Sequence, residues 1–374
     1  MTVGLNITTD AMVNWFQLEF PELAHKMQEA THHYAHHYDA QTLNPYHVEG
    51  SVWAHTMMVC LMAKHFANTH DLVRWSSLLH DIGKPDALVK NHENKRVSFH
   101  GHEGLSAFMA LDVLDKTSAT TPQKILIHKI IACHGDLFRF IKSDGTIKPD
   151  ITQVYAGERE LLENLVFQAM VDSVGRFWQD GKCENIEPQF PTQFQSVIES
   201  LSYGIQPMKH TGNPKLTVLV GPPCAGKSTY VQNNVTSTKI ISRDDLVDIA
   251  GARRGLNYTE TFKFLASNKD VCDREVDQVF EQGVRDAKQS GMDVLVDMTC
   301  MSKKSRRRWI NEFHNHDKKA VVFLAGFETL QHRNKIRAHT GGKFIPERVL
   351  QDMCLRYSLP MYSEGFNEID FVVS

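Results

Sequence analysis

Leu216-Thr217-Val218-Leu219-Val220-Gly221-Pro222-Pro223-Cys224-Ala225-Gly226-Lys227-Ser228-Thr229 decides the architecture of the second half of the chain. A short apolar run leads into the spacing G-x-x-x-x-G-K-S, and a helical stretch opens at Thr229. A loop set between a strand and a helix is the context in which this spacing has chemical meaning. Gly221 and Gly226 let the backbone wrap closely around a polyphosphate, while successive N–H groups and the helix N-terminus point at it. Lys227 then reaches the β- and γ-phosphates, and Ser228 can ligate Mg²⁺. Gly221, Cys224, Ala225, Gly226, Lys227, Ser228 and Thr229 are therefore the candidate nucleotide-binding residues. An ordinary glycine turn would not require Lys-Ser and a helix to follow in that order.

Further apolar, β-branched runs occur at Lys239–Ser242, Val294–Val296 and Ala320–Leu324, each followed by a segment able to form a helix. Strands alternating with helices predict parallel β-α units and a central, doubly wound parallel sheet. Ser242-Arg243-Asp244-Asp245 comes just beyond the second run. A carboxylate there lies in the crevice at the carboxyl ends of the strands and could take a proton from an acceptor hydroxyl. The same residues could equally cap a helix. Asp297, after the third run, could hold Mg²⁺ through water, orient a substrate, or act as a cap. Arg333 and Arg337 are four apart in an expected helix, so they share one face and could close on a triphosphate; a solvated basic face is the plainer reading. For Lys303-Lys304-Ser305-Arg306-Arg307-Arg308 a solvated helix start is the expectation, with nucleic-acid phosphate contact as the sharper option.

The first half has a different texture. Helix-period apolar positions recur in Val52–Phe66, Leu105–Leu114, Ile125–Cys133 and Leu161–Trp178, with no sustained period-2 stretch. Breakers fall between them at Asn44-Pro45, Gly83-Lys84-Pro85, Thr121-Pro122 and Ser143-Asp144-Gly145. From Gln179 to Pro214 prolines and glycines accumulate, although Phe194–Leu201 could be a short helix. The expected organisation is an all-α bundle over 1–190, a linker or domain edge over 191–213, and an α/β domain over 214–374.

Of the 20 histidines, 16 precede residue 211. His55 lies in an apolar helical stretch, His80-Asp81-Ile82-Gly83-Lys84-Pro85 ends another, and His100-Gly101-His102-Glu103, His134 and Asp172 follow. His134 continues the stripe Ile127, Ile130, Ile131, and Asp172 continues Leu165, Ala169, so both are expected to point inward. Buried groups of this kind need partners, and convergence on divalent cations supplies them. Four imidazoles and two carboxylates suffice for two metals with a shared bridge, able to clamp a phosphate and generate hydroxide near neutral pH. The run His25–His37 is read instead as a solvated helical face.

Net charge is −3, with +4 from Lys215 onward and −7 before it, so no polycationic field advertises a long nucleic-acid track. Seven scattered cysteines without a CxxC argue against a disulfide framework or zinc knuckle and for a reducing, cytoplasmic setting. The opening Met1–Phe16 lacks the basic stretch and apolar core of a signal peptide. The longest apolar run, Met57–Ala63, is too short to span a bilayer, so no membrane partner is expected.

Over roughly Leu216 to Tyr357 these residues resemble the 5′-hydroxyl polynucleotide kinase family of P-loop phosphotransferases. The resemblance implies Asp244 as general base, Arg243, Asp297 and Thr299 at the substrate, and Arg333 and Arg337 as the lid, with Lys227 and Arg337 stabilising the transferring phosphoryl group. Thr299 stands where the family has Asn. Val247 stands where the phage kinases carry an Arg that grips the acceptor's phosphate, which leaves Arg253 or Arg254 for that contact. Over roughly 45–180 the chain resembles the HD superfamily of metal-dependent phosphohydrolases, and its HDIGKP and HGHE segments are similar to HD modules attached to tRNA-maturing nucleotidyltransferases. Carried over, one metal takes His55, His80, Asp81 and Asp172 and the other Asp81, His102 and His134. Lys84 faces the substrate phosphate, and His100 stands behind the ligands. Such mixed N/O ligands suit Mn, Fe, Co, Ni or Zn.

The two together resemble bifunctional HD-domain polynucleotide kinases, which implies RNA end healing. An NTP such as ATP, with Mg²⁺, would phosphorylate a 5′-OH of RNA, or of DNA as a further acceptor class. The HD module would clear a 2′,3′-cyclic, 2′- or 3′-phosphate, leaving ends for a separate RNA ligase. The residues also admit a nucleotide phosphohydrolase fused to a nucleoside or small-metabolite kinase, or a nucleotide-gated binding module without catalysis.

Overall fold

The computed structural model describes residues 2–35, 39, 41–142, 146–177, 190–201, 212–234, 237–340 and 342–374. Several positions singled out in the sequence, among them His36, His37, the turn Ser143-Asp144-Gly145, Trp178, Pro188, Pro207, His210 and Gly341, lie outside the described residues, as does 202–211 of the expected linker. The chain forms two compact units, Met1–Ile205 with Cys354–Leu359, and Gln206–Met353 with Pro360–Ser374.

The first unit is helical. It contains α1 (Thr9–Glu19), α2 (Pro21–Glu29), α3 (Val52–Phe66), α4 (Asp71–Leu79) and the single turn α5 (Lys84–Ala87). A short antiparallel pair, β1 (Val89–Asn91) and β2 (Arg96–Ser98), precedes α6 (His102–Leu114), α7 (Thr121–Cys133), α8 (Ile151–Val154), α9 (Arg159–Val174) and α10 (Phe190–Ser200). Helix starts follow their caps. The Ser51 hydroxyl accepts from the Ala54 N–H at 3.0 Å, and Thr120 with Gln123 forms a capping box. The pair Thr121-Pro122 therefore opens a helix where the sequence suggested a break, because proline's missing N–H costs nothing in the first turn.

Of α4, seven residues from Val73 to Leu79 are buried. Trp75 is fully enclosed and donates its indole N–H to Leu5 O at 2.9 Å. This burial delivers the next two residues, His80 and Asp81, into the interior. The hairpin β1–β2 was not expected. Its residues are mostly exposed and lack the inward alternation that a half-buried strand writes into a sequence.

The second unit is a five-stranded, wholly parallel sheet in the order β4-β5-β3-β6-β7: β3 (Lys215–Val220), β4 (Lys239–Ile241), β5 (Val294–Val296), β6 (Asp317–Leu324) and β7 (Glu368–Val373). Its helices are α11 (Lys227–Asn234), α12 (Arg243–Ala252), α13 (Tyr258–Ser267), α14 (Lys269–Cys272), α15 (Gln278–Gln289), α16 (Lys303–Glu312), α17 (Phe327–His339) and α18 (Glu347–Leu355), with a π turn at Asp273–Asp277 joining α14 to α15. The phosphate-loop strand β3 is central, so the loop opens where connections depart to either side, at the carboxyl ends of the strands. Edge strand β7 went unread in the sequence. It closes the sheet by pairing with β6 from Glu368 to Val373. No helix among the described residues is long and apolar enough to cross a membrane.

The basic run at α16 needs one correction. Lys303, Lys304, Arg307 and Arg308 are exposed, as a solvated start requires, but Arg306 is fully buried. Its guanidinium grips Glu364 through Nε (2.9 Å) and Nη2 (2.7 Å) and also donates to the carbonyls of Cys300 and Met301. Arg306 is therefore a structural cation. Removing one partner of such a pair strands a buried charge. Glu364→Ala is expected to lower the stability of this unit by about 3–5 kcal/mol, read as an earlier denaturant midpoint for its unfolding transition.

Candidate active sites

In the first unit, His55 on α3, His80 and Asp81 after α4, His102 at the start of α6, His134 after α7 and Asp172 on α9 converge from five separate segments. Their donor atoms form two groups, His55 with His80 and Asp172, and Asp81 with His102 and His134, each within 4.8 Å. Asp81 lies between them. Its Oδ2 is 3.1 Å from His80 Nε2 and 3.7 Å from His55 Nε2, whereas its Oδ1 is 3.1 Å from His102 Nε2 and 3.8 Å from His134 Nε2.

The outward nitrogens of these rings explain the arrangement. Nδ1 of His80, His102 and His134 each lies 2.8 Å from a backbone carbonyl three residues earlier, of Ser77, Phe99 and Ile131. A carbonyl only accepts, so each Nδ1 carries the proton and each Nε2 presents a lone pair. His55 differs: its Nε2 lies 3.0 Å from Asp172 Oδ1, and Glu49 Oε1 lies 3.2 Å from its Nδ1. Nε2 stands 3.4 Å from Nε2 for His55–His80 and, with lone pairs facing one another, 3.3 Å for His102–His134. They also face both oxygens of Asp81, which are buried and, among the described residues, have no hydrogen-bond partner beyond the ion pair of Oδ2 with Lys84. Acceptors aimed at acceptors repel unless a cation lies between them. Two nitrogens bound tetrahedrally to one ion at about 2.1 Å stand roughly 3.4 Å apart. The residues present therefore fit a pair of divalent ions, with Asp81 as the carboxylate common to both.

The electrostatics agree. Burial alone would raise Asp81 and Asp172. His80 and Lys84 hold Asp81 well below the usual carboxylate range, and Arg176 with His55 does the same for Asp172. His134 is pushed down to about 4 by burial and by the neighbouring His102 and His80, so it is neutral and ready to ligate. Burial also pulls His55 down, but Asp172 and Glu49 outweigh it and leave its value raised; a cation would displace that proton. Lys84 Nζ is 2.7 Å from Asp81 Oδ2.

The sequence reading missed three contributors. Glu49 accepts from His47 Nδ1 at 2.8 Å and from the Phe177 N–H at 3.0 Å besides facing His55, and Arg176 donates to Asp172 Oδ1 at 2.7 Å. His32 and His33, assigned to a solvated helical face, are buried beyond the end of α2, because that helix stops at Glu29 and the chain folds inward. Of the described histidines in that run only His25 matches the expectation, exposed on α2. His100 is exposed and belongs to neither donor group.

In the second unit, Gly226 adopts φ +98°, a left-handed conformation that glycine takes freely, and a Cβ on Gly221 would stand 2.9 Å from that of Phe323 on β6. Lys227 Nζ folds back on its own loop, donating to the carbonyls of Gly221 (2.8 Å) and Pro222 (2.7 Å), and burial lowers its pKa to about 8. Ser228 and Thr229 are exposed at the start of α11. Asp297 follows β5 and is raised by burial, with Lys227 opposing and Asp245 and Asp244 adding to the rise. These carboxylates and the lysine therefore share one electrostatic neighbourhood at the carboxyl end of the sheet. Thr299 contributes its carbonyl to the Gly221 N–H at 2.9 Å.

Ser242, rather than either aspartate, caps α12, accepting from the Asp245 N–H at 3.3 Å. Asp244 is left exposed; its Oδ1 accepts from the Tyr258 hydroxyl at 2.9 Å and its Oδ2 lies 3.5 Å from Lys343 Nζ. Arg243 donates to Asp277 at 2.8 and 3.1 Å. Arg254 is committed to Glu275 at 2.6 and 2.9 Å, with Arg253 3.8 Å from the same carboxylate. Arg333 on α17 reaches the loop carbonyl of Cys224 at 3.4 Å, and Arg337 donates to Asn334 while its Nε has no hydrogen-bond partner among the described residues.

Glu49 gives a direct check on the first site. Groups that orient metal-binding imidazoles typically change affinity by about 10–100-fold when removed. Glu49→Ala is expected to weaken divalent-ion binding by that factor, and Asp81→Ala to abolish loading of both positions; metal content under graded chelator competition distinguishes the two.

A family model of the HD domain matches residues 52–169, and a model of the AAA domain matches 216–360. An A-adding tRNA nucleotidyltransferase of Deinococcus radiodurans is 29% identical over 97 residues, 24% of this chain. The chain spans 22% of the length of that curated relative. The first match covers His55, His80, Asp81, His102 and His134; the second covers the phosphate loop, Asp244, Asp297, Arg333 and Arg337. The chain thus joins an HD domain to a P-loop, kinase-like AAA domain in one polypeptide.

Proposed function

We propose that this protein heals RNA ends by two opposed phosphate chemistries, adding phosphate at a 5′-OH and removing it at the 2′,3′ end. The observation that carries the reading is the coexistence of the Asp81-centred donor set with a phosphate loop whose neighbourhood includes an exposed carboxylate, Asp244. The HD module of a tRNA-directed relative is in keeping with an RNA terminus as substrate.

In the kinase reaction Asp244 accepts the proton of the 5′-OH as its oxygen bonds to the γ-phosphorus and the bond to the β,γ-bridging oxygen breaks. Tyr258 holds Asp244 Oδ1 and so leaves Oδ2 for the hydroxyl. Lys227 leaves the loop carbonyls for the phosphates, and Arg337 closes with Arg333 on the γ-phosphoryl group. Ser228 would ligate the Mg²⁺ of the NTP, and Arg243, Asp297 and Thr299 border the acceptor. In the HD domain His55, His80, Asp81 and Asp172 would hold one divalent ion and Asp81, His102 and His134 the other, among Mn, Fe, Co, Ni or Zn. Such a pair supplies a clamp for phosphate oxygens and a hydroxide near neutral pH. Lys84 orients the phosphate from the protein side. Ends left as 5′-phosphate and 3′-OH pass to a separate RNA ligase.

One observation favours a rival reading. Val247 is buried, and Arg253 and Arg254 face Glu275, so the cations expected to grip a polynucleotide acceptor are absent or engaged. A small acceptor such as a nucleoside would need none of them. The deciding experiment uses one RNA with a 5′-OH and a 2′,3′-cyclic phosphate, beside free nucleosides, with both ends analysed after incubation with ATP and divalent ions. RNA is expected to gain a 5′-phosphate and lose its cyclic phosphate, while nucleosides remain unmodified. Phosphorylation of nucleosides alone sinks the reading, and ATP turnover without any acceptor points to a nucleotide-gated module.

The two activities are expected to separate. Asp244→Ala lowers 5′ phosphorylation by about 10²–10⁴-fold and spares 3′-end processing. His80→Ala does the reverse, as read by the two end analyses on the same RNA.

A further inference from the structure

The buried histidine His32 lies outside the HD match and has no part in either donor group around Asp81. Its position is over-determined. The carbonyl of Gly50 accepts from the His32 backbone N–H at 2.7 Å and from the Thr31 hydroxyl at 3.3 Å, and it lies 3.2 Å from His32 Nδ1. Gly50 itself has φ +84°, which suits glycine. The imidazole lies parallel to that of His47, with centroids 4.1 Å apart and planes 7° apart, and meets Phe99 edge-on at 5.4 Å. With Nδ1 donating to a carbonyl, Nε2 presents a lone pair, and it lies 3.2 Å from Lys84 Nζ.

We propose that His32 is a positioning residue that holds the Lys84 ammonium for the non-bridging oxygens of a phosphate ester bound at the HD site. This rests on the reading of Lys84 as the phosphate-facing cation. Lys84 Nζ touches two acceptors, Asp81 Oδ2 and His32 Nε2, and lies 5.4 Å over the Phe99 ring. Asp81 Oδ2 also faces the Nε2 atoms of His55 and His80, so a cation held there claims the oxygen that balances the ammonium. The lysine stem is flexible and its charge would be repelled by that cation. A neutral acceptor on a rigidly held ring retains it: one N–H goes to His32, and two are left for phosphate.

A metal-ligand role for His32 fits less well, although its donor lies within 4.8 Å of those of His47 and Glu49. Glu49 is already committed to His47, His55 and the Phe177 N–H. Parallel stacked rings direct their lone pairs side by side rather than toward one point, and an ion at His32 Nε2 would sit beside the Lys84 ammonium.

The test is a double-mutant cycle on the full, metal-loaded chain with His32→Phe, Lys84→Met and both, adding His32→Gln, whose amide oxygen can accept from Lys84. Three quantities are read: bound divalent ion per chain, equilibrium binding of inorganic phosphate by calorimetry, and the KM for an RNA 3′-phosphate. His32→Phe is expected to keep the full metal content, weaken phosphate binding about tenfold or more and raise KM in parallel. It should add nothing in the Lys84→Met background, and His32→Gln should recover most of the loss. Additive losses, or metal loss with His32→Phe, overturn the inference while leaving Lys84 in place. If Lys84→Met alone leaves phosphate binding unchanged, the reading of Lys84 falls and this inference with it.

Discussion

A carboxylate buried with two opposed sets of lone pairs is the constraint on which the first unit depends. Asp81 is driven inside because α4 buries its entire second half, and solvent does not reach it. An ionised carboxylate there is costly unless cations share it. The protein answers with Lys84 on one oxygen and imidazoles arranged on both. The rings of His80, His102 and His134 are each oriented by a backbone carbonyl three residues earlier acting on Nδ1, so the tautomers suited to metal binding are set by the local fold. Divalent ions at the two donor groups would complete the core of this unit, and the apolar packing of α3, α4, α7 and α9 would make their absence expensive.

The second unit handles phosphate in another way. Its loop offers backbone N–H groups and one half-buried lysine, and several arginines of the unit are already neutralised by carboxylates: Arg243 by Asp277, Arg254 by Glu275, Arg306 by Glu364. Several of the cations in this half of the sequence are therefore held in internal pairs. That is why a modest net charge is compatible with polyphosphate binding: dipoles and one pre-placed ammonium do the local work, and long-range attraction contributes little.

Legibility followed the same physical lines. Strand β3 and the phosphate loop were readable because the strand is buried and the loop's glycines and lysine have fixed stereochemical duties. His134 and Asp172 were readable because they interrupt apolar stripes at helical spacing. The contributors that escaped detection lie where periodicity carries no signal. His32, His47 and Glu49 sit in an irregular segment whose direction is set by the end of α2 and by Gly50, and no local pattern reveals that Glu49 will face His55. Arg306 was misjudged for the converse reason: in a run of five basic residues, only the three-dimensional position of Glu364 tells which one turns inward. The hairpin β1–β2 is short and mostly exposed, and edge strand β7 buries only Ile369, so neither writes a buried alternation into the sequence.

The histidine excess can now be resolved into physical classes. Some rings present Nε2 to Asp81 and are candidate ligands; His47 and His32 stack behind them, with burial and Lys84 holding His32 well below the ordinary imidazole range. A neutral imidazole is suited to this position in a way that a carboxylate is not. A second carboxylate beside Asp81 would compete for the same cations and tie Lys84 into an ion pair, whereas a lone pair on an uncharged ring fixes the ammonium without cancelling its charge. The chemistry available at such a site is governed by which acceptors near the cations are neutral as much as by which are anionic.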